Sequence, residues 1–210
     1  YELALAACTR SYELADRLEL TNVTSLIRYQ LALILARRGQ LREARARIHE
    51  LKDQGHLLRA WSVLLQLAQI EWLARRPRVC LKLLERMSSI MGSSTPKVYK
   101  AGTHGLRAHA LLALGHTDEA LAAAREGMAL VHTTSHLEEC EALVRLAMAE
   151  ALHACGERNA ARAAMAAARA YVVGRAKLIN IPEWRRAFIE QVAENRRIME
   201  LADDWRDEPF

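Results

Sequence analysis

Proline and glycine are scarce, with four and nine in 210 residues. Each breaks regular structure, so their rarity leaves room for long uninterrupted elements. Aromatic residues make up only 5%, and Ala, Leu and Arg, all strong helix formers, outnumber the residues that favour pleated sheet. The chain is therefore expected to hold almost no sheet. No run approaches the roughly 18 to 20 uncharged apolar residues needed to span a bilayer, and no basic, apolar leader opens the sequence. A soluble chain is expected. The four cysteines, Cys8, Cys80, Cys140 and Cys155, form no CxxC pair and have no metal-ligand spacing. They read as small buried apolar residues in a reducing compartment, which puts the expected location in the cytoplasm.

Strong charge of one sign is also missing. Thirty basic residues against 25 acidic ones leave a formal charge of +5, and the arginines are spread along the whole length. Arg37-Arg38 with Arg42, Arg45 and Arg47, then Arg185-Arg186 and Arg196-Arg197, alternate with acidic residues and lack interleaved aromatics. They read as solvated, salt-bridged helix faces, so nucleic acid is not the expected partner. The signatures of chemistry are absent too: no GxxxxGK[ST] phosphate loop, no GxGxxG after a strand, no GxSxG elbow. His132 and His136 stand four apart, but they flank a Thr-Thr-Ser loop without a third ligand or an HExxH glutamate. No catalytic, metal or cofactor site is expected.

What is present is a repeat. Ala36-Arg37-Arg38-Gly39-Gln40-Leu41-Arg42-Glu43-Ala44, Leu114-Gly115-His116-Thr117-Asp118-Glu119-Ala120 and Cys155-Gly156-Glu157-Arg158-Asn159-Ala160-Ala161 each read as helix stop, tight turn and helix start. Aligned on their glycines, they place Ala32, Ala108 and Ala149 seven residues earlier. Leu35, Leu111 and Leu152 stand four earlier, and Ala44, Ala120 and Ala161 five later. A degenerate fourth copy turns at Arg75-Arg76-Pro77, with Arg75 for the glycine, Cys80 for the later alanine, Ala68 keeping the earlier one and Glu71 replacing the leucine. Each turn separates two amphipathic patterns, so each unit is predicted to be a helical hairpin whose small residues let two antiparallel helices approach.

These residues resemble the tetratricopeptide (TPR) repeat family over about residues 20 to 173. The unit is longer than the family's, most first-helix tryptophans are missing, and no regular proline separates the repeats. The resemblance implies an all-α fold, a right-handed α-α superhelix of antiparallel hairpins with a C-terminal capping segment. Predicted helices span 2–18, 23–38, 41–53, 56–75, 78–91, 97–114, 117–131, 134–155, 158–173, 182–190 and 192–204. Residues 1–19 are expected to be the second helix of a truncated preceding repeat, since Tyr1 stands inside a helical pattern without initiator Met or cap. Residues 20–173 are expected to form four hairpins and 174–210 the cap, with Trp184, Phe188 and Val192 sealing the apolar end. Gly92-Ser93-Ser94-Thr95-Pro96 is read as a turn between repeats, because the periodicity continues on both sides.

The resemblance also implies that the first helix of each hairpin lines a concave groove. By register this assigns Tyr29, Gln30, Leu33 and Arg37, then Gln66, Gln69 and Trp72, then His109 and Leu112, then Leu146, Glu150 and His153 to a protein- or peptide-binding surface. Tyr29 and Trp72 fit packing between hairpins equally well. The closing stretch around Ala193-Glu194-Asn195-Arg196-Arg197 further resembles the ends of large bacterial signalling proteins, in which a kinase or signalling ATPase domain precedes a repeat region. The implied role is a noncatalytic scaffold or sensor module that binds a protein or peptide or docks on adjacent domains. The alternative is a self-assembly or intramolecular element with no external ligand.

Overall fold

A computed structural model describes residues 1–52, 60–93, 95–133 and 140–207. Among them every regular element is an α-helix: α1 (Glu2–Arg17), α2 (Thr21–Arg37), α3 (Leu41–Lys52), α4 (Ala60–Leu73), α5 (Pro77–Ile90), α6 (Lys97–Leu112), α7 (Thr117–His132), α8 (Glu141–Ala154), α9 (Arg158–Lys177), α10 (Pro182–Glu190) and α11 (Ala193–Asp207). The chain falls into two compact units, Tyr1–Ser94 and Thr95–Phe210, divided within the Gly92 to Pro96 segment.

The turns obey one rule. Gly39, Gly115 and Gly156 have φ near +80°, and Arg75, in the glycine position of the degenerate copy, has φ +59°. At each, the amide of this left-handed residue bonds the carbonyl three back and the next amide bonds the carbonyl five before itself, as in Gln40 N to Leu35 O and Arg76 N to Glu71 O, both 2.9 Å. This paired closure satisfies the last carbonyls of the outgoing helix, and Pro77 opens α5 where its missing N–H costs nothing. A fifth turn of the same form stands at Glu19, φ +54°, with Leu20 N on Ala15 O at 2.9 Å. An alignment keyed on glycine does not find it. It starts α2 at Thr21, two residues earlier than the periodicity predicts.

Burial follows the repeat register. Ala32, Ala68, Ala108 and Ala149 before the turns, and Ala44, Cys80, Ala120 and Ala161 after them, are all fully buried. They lie where the two helices of a hairpin meet: α2 on α3, α4 on α5, α6 on α7 and α8 on α9. In unit 1, α2 and α3 also touch α4, and Tyr29, Leu35, Ile48, Val63, Leu67 and Ile70 fill the space between them. Glu71, in the leucine position, is equally buried. Arg45 of α3 holds it with two bonds, Nε at 2.5 Å and Nη2 at 3.1 Å, and Arg76 stands 3.5 Å away.

Unit 2 is drawn together by two glycines. A Cβ on Gly105 of α6 would come within 2.8 Å of Val144 Cγ2 and 3.3 Å of Val144 Cα, and one on Gly127 of α7 within 3.0 Å of Val144 Cγ1. Three helices therefore meet at Val144 of α8. Helix α9 runs to Lys177, past the predicted end at 173, because Val172 and Ala176 continue the buried stripe of Ala161, Met165 and Ala168. The predicted starts of the fourth and eighth helices, at 56 and 134, lie outside the described residues. The closing segment departs from expectation in which residues seal the array. Trp184 is more than half exposed and α10 buries none of its side chains, whereas Ile198, Leu201 and Trp205 of α11 are buried against α8 and α9.

Candidate functional site

The predicted surface residues fall nine or ten, six, and two or three positions before the left-handed turn residue of their repeat, steps that keep them along one flank of each first helix. In unit 1, α2 places Tyr29 in the interior, where its hydroxyl shares a 2.9 Å hydrogen bond with Ser62 of α4. Tyr29 is thus a packing residue that ties two first helices together. Gln30 is exposed, and Leu33 and Arg37 are half-buried. On α4, Gln66, Gln69 and Trp72 are all half-buried. The side-chain oxygens of Gln66 and Gln69 are enclosed and have no hydrogen-bond donor among the described residues.

The equivalent row in unit 2 bonds to itself. His109 of α6 is buried, with Nε2 3.1 Å from the Leu143 carbonyl and Nδ1 3.4 Å from the Glu150 carboxylate of α8. Glu150 also meets Arg197 of α11 at 3.2 Å. Burial opposes the charge on Glu150, but the hydrogen bonds and charges of His109 and Arg197 outweigh it and hold the carboxyl below its ordinary range. One turn further on, the His153 ring stacks on Trp205 at 4.4 Å with 9° between planes. Leu146 is buried and Leu112 half-buried. The two contacts run in the same order along α8 and α11, so α11 lies alongside α8 in the direction expected of a further first helix. Sequence reasoning missed Arg197 and Trp205 as its contact residues, although Ile198, Leu201 and Trp205 already carry the three-and-four spacing of a buried stripe.

The thiols are not poised for nucleophilic chemistry. Cys80 is pushed up to about 12 by burial and by the neighbouring Glu71 charge, and Cys140 sits in the core, its Sγ 3.4 Å from the Val98 carbonyl. Among the described residues no group of three or more His, Cys, Asp or Glu side chains is arranged to hold a metal. His132 is exposed at the end of α7, and His136 lies outside the described residues. No helix among the described residues is long and apolar enough to cross a membrane.

The buried small-residue register, the left-handed turns and the hairpin order define a TPR-like solenoid of antiparallel helical hairpins. Comparison with solved structures agrees. A Podosopora anserina protein assigned as a kinesin light chain, with nearly identical TPR-like repeats, is similar at 18% identity and a TM-score of 0.54, covering 86% of this chain and 88% of its own. A second structure of it gives the same identity and TM-score, covering 89% of its own length. At this identity the likeness establishes the fold alone. No family model matches the sequence, and no curated protein does.

Proposed function

We propose that the chain is a noncatalytic protein-binding module that takes an extended or helical peptide segment along the first-helix flank of unit 1, as part of a larger bacterial signalling protein in the cytoplasm. The observation that carries the binding reading is the row Gln66, Gln69, Trp72. TPR-like arrays commonly serve as interaction scaffolds, and here two amides lie beside an indole on one flank. An enclosed acceptor left unsatisfied costs about 1–3 kcal/mol. Rotated outward, each amide can accept from a peptide N–H, while the indole offers a large apolar contact at low entropic cost. The row in unit 2 lacks this character, because His109, Glu150 and Arg197 already answer one another. The signalling and cytoplasmic parts of the proposal rest on the resemblance of the closing stretch and on the cysteine usage.

A photo-crosslinking residue placed at Gln30, the exposed member of the same flank, tests the proposal against partners from the native host. Specific adducts that disappear in Trp72→Ala and Gln69→Ala variants support it. Adducts indifferent to both would sink it.

A second reading is favoured by a different observation. Leu3, Leu14 and Leu18 of α1 and its turn, with Leu26 of α2, are between 45% and 71% exposed. Apolar side chains left open on one end of unit 1 suit an assembly contact with another copy or an adjacent domain. Light scattering separates the two: an oligomer abolished by Leu3→Glu with Leu18→Glu supports assembly, and a monomer with intact Gln30 crosslinks supports peptide binding.

A further inference from the structure

A cavity of about 320 Å³ opens between α9 and α11. Its floor is apolar: Met165 and Trp205 are almost fully buried, and Ala166 and Ala202 complete it. Its polar wall is two arginines, Arg162 and Arg169. They stand seven residues apart on α9, two turns, so their guanidinium groups rise from one face roughly 10 Å apart. Between them lies Ala166, whose methyl leaves the slot open. Arg169 reaches Asp203 with Nη2 at 3.6 Å, and its Nε is enclosed without a hydrogen-bond partner among the described residues. A guanidinium carries five donors, so each arginine retains capacity for a carboxylate beyond its intramolecular contacts.

We infer that this slot is a second binding site, for an acidic peptide segment that inserts one bulky apolar side chain between two carboxylates. The charge of the wall selects the flanking groups. A carboxylate can take paired N–H bonds from a guanidinium, whereas an amine or a second guanidinium would be repelled. The apolar floor selects the central residue, and Trp205 gives it a flat aromatic surface. The site is separate from the unit 1 row Gln66, Gln69 and Trp72: its lining comes from α9 and α11 of unit 2, where Trp205 is shared with the His153 stack, so Arg162 and Arg169 can be replaced without touching the unit 1 surface.

The test is fluorescence anisotropy of the full chain with a dye-labelled hexapeptide of four glutamates around a central leucine pair, and with a matched peptide in which lysines replace the glutamates. Binding of the acidic peptide that weakens with salt and falls by about tenfold or more in Arg162→Glu with Arg169→Glu is the expected result. Ala166→Leu provides a second variant. The position is exposed on a helix, so the substitution leaves folding intact, as the helical circular dichroism will show, but it plugs the slot and abolishes binding. Trp72→Ala leaves this binding unchanged, which separates the slot from the unit 1 flank. The inference is overturned if the lysine peptide binds equally, or if Ala166→Leu binds like the parent chain. It is also overturned if the peptide binds only a chain ended after Asp207, which would assign the slot to the chain's own residues 208–210.

Discussion

The two units are built on the same register and spend their interiors differently. Unit 2 brings three helices together at Val144 through Gly105 and Gly127 and pairs the polar groups of its first helices with one another. Among the described residues, unit 1 has no such glycine crossing. It replaces a core leucine by Glu71, leaves two amide acceptors on α4 without donors among the described residues, and exposes leucines on α1 and α2. Polar groups that satisfy one another hold helices in place, whereas polar groups left waiting have something to offer a ligand. By this measure the row in unit 2 is framework, and the row in unit 1 has the unanswered polar groups on which the proposed recognition rests.

The largest effect expected is at the buried ion pair of unit 1. Arg45→Ala leaves Glu71 enclosed with only the exposed Arg76 beside it, and the loss is about 3 kcal/mol, because a buried carboxylate stripped of its partner keeps its desolvation cost. Glu71→Leu with Arg45→Leu restores the repeat's leucine and returns most of that loss. Urea unfolding measures both, and hydrogen exchange places the change: faster exchange confined to α2–α5 keeps the two units distinct, while equal acceleration in α6–α8 would erase the distinction.

The matching lesion in unit 2 is Gly105→Ala. The new methyl meets the Val144 side chain at 2.8 Å, which a rotamer change can relieve, and the Val144 Cα at 3.3 Å, which it cannot. A cost of about 2 kcal/mol follows from forcing the helices apart. Val144→Ala in the same chain recovers part of it, and full recovery would mean that the backbone approach is not the constraint. Smaller still is the turn effect. Arg75→Gly removes a side chain from a left-handed residue and raises stability by about 1 kcal/mol, and Gly115→Ala lowers it by a similar amount. Thermal unfolding that moves the same way for both would contradict the shared turn geometry.

Fold and turns were legible because they depend on local chemistry that repeats. A left-handed residue and three small or apolar positions at fixed offsets return in three copies, and in the fourth, where Glu71 breaks the leucine position, Arg75 could still be placed by Ala68 and Cys80. Glu19 escaped because its turn carries no glycine and no repeat of the flanking alanines. The surface was less legible for a physical reason: register tells which flank a residue occupies but not whether a neighbouring helix already covers it. Tyr29 and His109 occupy the predicted flank and are nevertheless buried, one by Ser62 and the other between Leu143 and Glu150. Trp205 and Trp184 show the converse at the end of the chain. Both are aromatic residues in amphipathic helices, and only the packing of α11 on α8 and α9 decides that Trp205 seals the array while Trp184 faces out.

The smallest effect separates the self-bonded row of unit 2 from the proposed recognition surface by pH. Glu150 is faced by His109 from α6 and Arg197 from α11, and together they hold its carboxyl below the ordinary 4.5 despite burial. The unfolded chain therefore takes up that proton first as pH falls. The stability that Glu150 contributes is present above the ordinary glutamate range and is lost as pH drops below about 4.5 through the lowered folded value. Glu150→Gln removes this dependence, so its unfolding free energy should change less between about pH 6 and about pH 3.5 than that of the parent chain. Arg197→Gln takes away the more exposed of the two partners and should flatten the profile only in part. Gln69→Glu, at the same register position in unit 1, supplies the contrast: with no cation among the described residues bonded to the native side chain, a carboxylate there is expected to gain no such protection. If the acid sensitivity of the Glu150→Gln chain equals the parent's, the row in unit 2 does not hold α11 to α8, and the contrast between the two first-helix rows then rests on packing alone.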